Sequence, residues 1–291
     1  MFAFCASSVA QNNNRAWWNS LSPGWKKIFQ DLELKGKNVE PNDEQLESMV
    51  AMQHVSCAGN KQIESLKPLA RLTMLKTLDC SNTNVASLEG IEGLVNLESI
   101  DCSNNDNINS LLPLASLGNL VYLNCGNTMV KNLKPLQGLR KLQRLDVHFC
   151  TVNSLQVIGD LKSLTELNVS ENNCLFSLDG VDKLPQLLVL DCSYTHVDDL
   201  TPLQSLKLLE VLNVSNTDIK TTRSLQYVRT LKDVDCSNTA IQAASLDYFY
   251  SHVRLQFLRA RNIDISQKQV DDFTASFVKK NVNCDVIVTK K

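Results

Sequence analysis

Leu75-Lys-Thr-Leu78-Asp-Cys80-Ser-Asn-Thr83-Asn-Val85 is the stretch that decides how this chain folds. Numbered from Leu75, it reads L-x-x-L-x-[C/V]-x-x-[N/T]-x-[I/V]. The sixth position recurs at Cys57, Cys80, Cys102, Cys125, Val147, Val169, Cys192, Val214, Cys236 and, in a weaker copy, Ala260. Successive copies therefore begin every 22 to 24 residues. Within each copy the apolar positions four and six flank one outward residue, the alternation of a half-buried strand. Strands repeated at one short period stack in parallel, each packing only on its neighbours.

Working outward, each strand is followed by a second half such as Leu66-Lys67-Pro68-Leu69 or Leu133-Lys134-Pro135-Leu136. Apolar residues there recur every three, as in Val197, Leu200, Leu203, Leu206 and Leu209. Spacing of three with a frequent proline predicts 3₁₀ or loose helical turns on the convex side. Period and leucine pattern together predict an α/β leucine-rich-repeat solenoid of about ten repeats over residues 52–265, its parallel sheet lining the concave face. Three copies carry one extra residue and have Asn at position nine: Asn60, Asn105 and Asn172. Most shorter copies have Thr there, and Cys150 is the exception. A side chain at this place is expected to satisfy backbone groups of the turn and to set its length.

The flanks differ from the ladder. In residues 11–51, Ser22-Pro23 is a helix start and Trp25, Ile28, Phe29 and Leu32 follow at helical spacing. Asn42 and Gln45 make a capping-box pattern. This segment is read as a helical N-terminal cap in which Trp17, Trp18 and Trp25 pack rather than stack on sugars. In residues 266–291, Ser266 and Gln269 repeat the box pattern. Val270, Phe273 and Phe277 form a helical face, Asn281 can stop the helix, and Cys284–Val288 reads as a last strand. Residues 1–10, ending Ser8-Val9-Ala10, read as the remnant of a secretory signal, against the alternative of an ordinary N-terminus.

A net charge of −2 gives no basic excess for nucleic acid, and no apolar run is long enough to span a bilayer. Of ten cysteines, six hold position six and are expected in the core as small hydrophobes. Cys150 and Cys174 lie in adjacent repeats, so a disulfide between them is possible in an oxidising compartment; two separate turn residues are the other reading. Cys-x-x-Cys is missing, and neither a phosphate loop, a zinc-protease helix nor a nucleophile elbow occurs. His196 with Asp198 and Asp199 lacks a well-placed third ligand, and His148 and Cys150 should point to opposite sides. No catalytic group, metal or cofactor is indicated.

The sheet face presents positions three, five, seven and eight. Position five alternates Asp and Asn from Asp101 to Asp235, which keeps carboxylates off adjacent strands. Position seven is mostly small. Against that background Tyr122, Arg144, His148, Phe149, Glu166 and Tyr194 are large, and they map to four consecutive repeats. Tyr and Arg are enriched among binding hot spots, so these six residues are the candidate ligand-binding patch. Arg254, Arg259 and Arg261 form a smaller basic cluster.

The repeat length, the Leu-x-Pro-Leu second half and the short apolar turns, over residues 52–265, resemble the internalin-like family of bacterial leucine-rich-repeat proteins. That resemblance implies a secreted, periplasmic or cell-surface location and protein binding on the concave sheet. The chain departs from the family in having no immunoglobulin-like domain after the repeats and no wall-anchoring motif. The expected function is non-enzymatic binding of a protein ligand, by a monomer. An intracellular scaffold resembling phosphatase-regulator repeat subunits, and hence cytoplasmic, is the alternative.

Overall fold

The structure, a computed structural model, describes residues 13–280 and 284–291. The signal reading of residues 1–10 and the helix stop at Asn281 lie outside the described residues. The chain forms two compact units, divided between Met129 and Val130.

The first unit opens with helical turns over 13–20, then α1 (Pro23–Leu34) and α2 (Asp43–Val50). Both starts follow the sequence signals. Ser22 Oγ accepts from Trp25 N, and Asn42 and Gln45 close a full capping box. The chain leaves α1 through Lys35 and Gly36, both at positive φ. Trp18, Trp25, Phe29, Leu46 and Met49 are buried, and Trp25 stacks on Phe29 at 5.7 Å. Indole N–H groups tie the helices to the first repeat: Trp17 donates to Pro68 O and Trp25 to Ser65 O, each at 2.9 Å. The tryptophans thus pack, as expected.

Strands β1 (His54–Ser56), β2 (Thr77–Asp79), β3 (Ser99–Asp101) and β4 (Tyr122–Asn124) follow, each paired parallel with the next. Each is three residues long, with only the middle side chain buried. The register sets repeat on repeat without slippage: Leu78 lies opposite Val55 and Ile100. Cys57, Cys80, Cys102 and Cys125 follow the strands and are at most 1% exposed. Second halves such as Lys67–Arg71 and Leu112–Leu114 are 3₁₀ turns with proline in the first turn.

The second unit continues with β5 (Arg144–Asp146), β6 (Glu166–Asn168), β7 (Val189–Asp191), β8 (Val211–Asn213), β9 (Asp233–Asp235), β10 (Phe257–Ile263) and β11 (Asp285–Lys290), again parallel in chain order. The last strand is the one foreseen at 284–288, shifted by a residue or two. Helix α3 (Gln267–Lys280) precedes it, with Ser266 and Gln269 bonded as a capping box. Phe249 is fully buried, and Tyr250 packs on Phe273 and Phe277 at 5.4 and 5.9 Å. These aromatics fill the place where repeat spacing fails.

The position-nine residues act as expected. Thr83, Thr128, Thr195, Thr217 and Thr239 each donate Oγ1 to the carbonyl of position six in their own repeat. Asn reaches further. Asn105 Nδ2 donates to Cys80, Cys102 and Ser103 carbonyls, while its Oδ1 accepts from Thr83 N and Oγ1. Asn172 does the same in the second unit, donating to Val147 O, Val169 O and Ser170 O and accepting from Val152 N. An amide has donors and an acceptor to spare, so it staples two adjacent turns where a hydroxyl serves one.

Two glycines that composition did not single out are also structural. Gly90 (φ +103°) and Gly180 (φ +105°) stand in second halves without the proline. A Cβ on Gly90 would lie 2.5 Å from Lys67 Cα; on Gly180 it would strike Leu155 O and sit 2.8 Å from Gln156 Cα. Close passage of one turn over the previous one requires glycine there.

Candidate functional site

The outward side of each strand is organised by position five. In the first unit Asn124 Nδ2 donates to Asp101 Oδ2 at 3.0 Å. In the second, Asn168 donates to Asp146 at 3.2 Å and Asn213 to Asp191 at 2.9 Å. The free oxygen of each residue then accepts from position seven. Asp191 Oδ1 takes Ser193 N at 2.9 Å and Ser193 Oγ at 2.6 Å, and Asn168 holds Ser170 likewise. The alternation therefore does more than separate charges. It builds a hydrogen-bonded rail that uses up the carboxylates and leaves a floor of small residues.

His148 fits the same rail. It stands where other repeats have Ser, and both its backbone N (3.0 Å) and Nδ1 (2.7 Å) bond Asp146 Oδ1. The imidazole replaces the serine hydroxyl and brings a larger, half-buried ring to the face. Cys150 is buried below, so the two do not form a nucleophile pair.

Position eight is the second organising element. Its backbone is left-handed in every repeat from the second to the tenth, at Asn82, Asn104, Asn127, Phe149, Glu171, Tyr194, Asn216, Asn238 and Asn262. Asn tolerates this conformation; other side chains with a Cβ lose about 1–2 kcal/mol. Side chains there can run along the ladder, as Asn127 does to Asn104 (3.0 Å) and Asn262 to Asn238 (2.9 Å). Phe149, Glu171 and Tyr194 break that run in three consecutive repeats. Phe149 is 54% and Tyr194 56% exposed. Large apolar surface is thus placed in solvent at a backbone cost.

Arg144 and Glu166 are exposed at position three of β5 and β6, where the register sets them side by side. Among the candidate residues of the second unit, Arg144, His148, Phe149, Glu166 and Tyr194 thus share the outward side of β5–β7 and its turn edge. Tyr122 occupies position three of β4 in the first unit and is half-buried.

The remaining candidates resolve differently. Arg259 is held by Asp233 and by Asp235 (3.1 Å), so its charge is met within the sheet, while Arg254 and Arg261 of the C-terminal trio are exposed. Strand register carries the reason: Arg259 lies opposite Asp235. His196 Nδ1 lies 2.8 Å from Asp218 and its ring stacks on exposed Phe176 at 5.2 Å. Cys174 is an exposed free thiol and Cys150 is buried, so no bridge runs from Cys174. Their one-residue offset turns the side chains to different sides. Burial pushes the thiols of Cys57 and Cys236 up to about 12, and those of Cys80 and Cys192 upward too. Such thiols are inert fillers. Among the described residues no helix is long and apolar enough to cross a membrane.

A family model, leucine-rich repeats in two copies, matches residues 73–116. No curated protein matches the chain in sequence. Solved structures resemble it in fold. An internalin (inlF) of Listeria monocytogenes superposes with a TM-score of 0.74 at 18% identity, over 91% of this chain and 81% of that one. The functional domain of InlJ from the same organism, described as including a cysteine ladder, gives 0.71 at 19% identity over 95% of this chain. This chain covers 61% of that domain. The leucine-rich-repeat domain of APL1B gives 0.63 at 19%, over 79% and 68%.

Proposed function

We propose that this chain, whose fold is that of the internalin-like leucine-rich-repeat proteins, is a non-enzymatic protein-binding molecule that works on the outward side of its sheet. It acts outside the cytoplasm or at the cell surface, a placement that rests on the signal-like reading of residues 1–10. One observation carries the binding assignment. In the second unit, β5–β7 and their turns expose Arg144, Phe149, Glu166 and Tyr194, whereas β8 and β9 bear Val211, Asn216, Asp233 and Asn238 at the same repeat positions. Rigid aromatic anchors beside charged groups, on a floor of small residues, are the make-up of a protein-binding face. His148 belongs to it through its ring edge, and its bond to Asp146 fixes that ring.

The test is a comparative capture from extracellular fractions, with the chain from residue 11 as bait. A variant with Arg144→Ala, Glu166→Ala and Tyr194→Ala should fold as before, since surface changes rarely exceed about 0.5 kcal/mol each. It should lose the partner that the parent retains. Tyr122→Ala, in the first unit, is a separate arm. Identical capture by the triple variant places the binding face elsewhere.

A further inference from the structure

Glu171 was not among the residues that size singled out, yet it lies between the two most unusual ones. The position-eight backbone bonds run Phe149 N to Ser170 O, Glu171 N to Ser193 O and Tyr194 N to Ser215 O, so the three residues sit on successive repeats. Adjacent strands are about 4.8 Å apart, which puts Phe149 and Tyr194 about 10 Å apart with Glu171 midway. The Glu171 side chain is exposed and has no hydrogen bond or ion pair among the described residues. The Glu166 carboxylate is likewise exposed and without a partner among the described residues. These carboxylates contrast with those of Asp146, Asp191 and Asp235, which the rail or Arg259 already occupies.

An unpaired carboxylate flanked by two exposed aromatic rings suits one chemistry. An ammonium or guanidinium group within about 6 Å of a ring centroid is attracted to the ring face, and the carboxylate supplies the counter-charge. The aliphatic stem of lysine or arginine covers the rings as it enters. From this geometry we infer that Phe149, Glu171 and Tyr194 form a clasp for a lysine or arginine side chain of the protein partner. The inference rests on the proposed sheet-face function and adds the partner's chemistry: a basic segment docked on the turn edge of β5–β7. From the second repeat to the tenth the other six residues at this position are Asn, and the three departures are what a selected contact leaves behind, because each replaces the residue best suited to that backbone.

Asn at positions 149 and 194 is the residue the ladder uses elsewhere, which gives a test free of folding artefacts. The probes are three labelled 15-residue peptides of one Gly-Ser framework with four positions set to Lys, Gln or Glu. Affinity is read by fluorescence anisotropy against the full chain, and thermal stability is followed in parallel. The Lys peptide should bind and the Glu peptide should not. Glu171→Gln should weaken the Lys peptide about fivefold, and Phe149→Asn with Tyr194→Asn about tenfold, with unchanged or raised Tm. Lys-peptide affinity that is unmoved by both variants, or no binding of that peptide to the parent chain, overturns the clasp. Equal binding of all three peptides, lost in the Asn double variant, overturns the basic preference but leaves the sheet-face function standing. Failure of the clasp with persistent partner capture, sensitive to the Arg144, Glu166 and Tyr194 substitutions, separates the two readings.

Discussion

Replacing Asn172 by Ala should cost the second unit a large share of its stability. Asn172 is fully buried and serves three backbone groups that no other partner reaches among the described residues: Val147 O (2.9 Å), Val169 O (2.9 Å) and Val152 N (2.8 Å). Ser170 O, its fourth contact, keeps Phe149 N. Leaving a buried donor or acceptor unmet costs about 1–3 kcal/mol. Three such groups, with partial relaxation of the turn, give roughly 3–6 kcal/mol. Domains of this kind are stable by about 5–15 kcal/mol, so the loss would be visible in any denaturation curve. Asn172→Thr supplies a hydroxyl that can reach Val169 O, as Thr217 reaches Val214 O at 2.6 Å. It should recover about 1–2 kcal/mol of the loss. Urea unfolding measures the ranking Asn > Thr > Ala, and amide exchange at Val152 gives the local readout. A loss under about 1 kcal/mol for the Ala variant, with Val152 still protected, would refute the stapling argument.

Three further outcomes follow from the geometry. Gly180→Ala should destabilise by about 2 kcal/mol or more, because the Cβ meets the backbone of Leu155 and Gln156 at a positive φ; Gly118→Ala, with nothing within 4 Å, should be near neutral by urea titration. A chain beginning at Met52 lacks Trp17, Trp25 and Phe29, exposes the apolar side of the first repeat, and should aggregate; a soluble product with native circular dichroism counts against the cap role of residues 11–51. Cysteine chemistry should divide by burial: Cys174 alkylates in the native protein, the ladder thiols only on unfolding. The raised folded values of Cys57 and Cys236 also set a pH dependence. Their contribution is complete below pH 9, the ordinary thiol value, and falls as pH rises towards 12, by about 1.4 kcal/mol per pH unit per thiol. Urea midpoints that stay flat across that window contradict it.

Much of the fold was legible because one period repeats. Every copy from Cys57 to Cys236 was placed on a strand in the right register, since an error of one residue would turn Leu78 or Leu145 to solvent. The capping boxes at Asn42 and Ser266 were equally plain, being local in sequence. What escaped depends on neighbours a full repeat away. That Arg259 is neutralised by Asp233 and Asp235 needs the register of β9 and β10. The role of Gly90 and Gly180 needs the path of the preceding turn. Glu171 escaped for another reason: a single charged residue on a surface carries no signal until its whole column is read. The signal was nonetheless present, in a column of Asn at position eight interrupted three times, and the left-handed backbone explains why Asn is the default there.

The Asp–Asn rail gives the second unit a parity. Asn168 donates to Asp146 and Asn213 to Asp191, each one repeat away, and Asp235 takes its donor from Arg259 one repeat further on. Gaining or losing two repeats preserves the order, while gaining or losing one sets like beside like. Removing the repeat of Asn168 would bring Asp146 against Asp191 at about 4.8 Å. The first unit has such a mismatch, since Asp79 lies opposite Asp101. It is tolerated there because each carboxylate has a donor on its far side, Ser56 for Asp79 and Asn124 for Asp101. Lengthening or shortening this protein by recombination should therefore proceed in pairs of repeats, and an odd step should survive only where a fresh donor arrives with it.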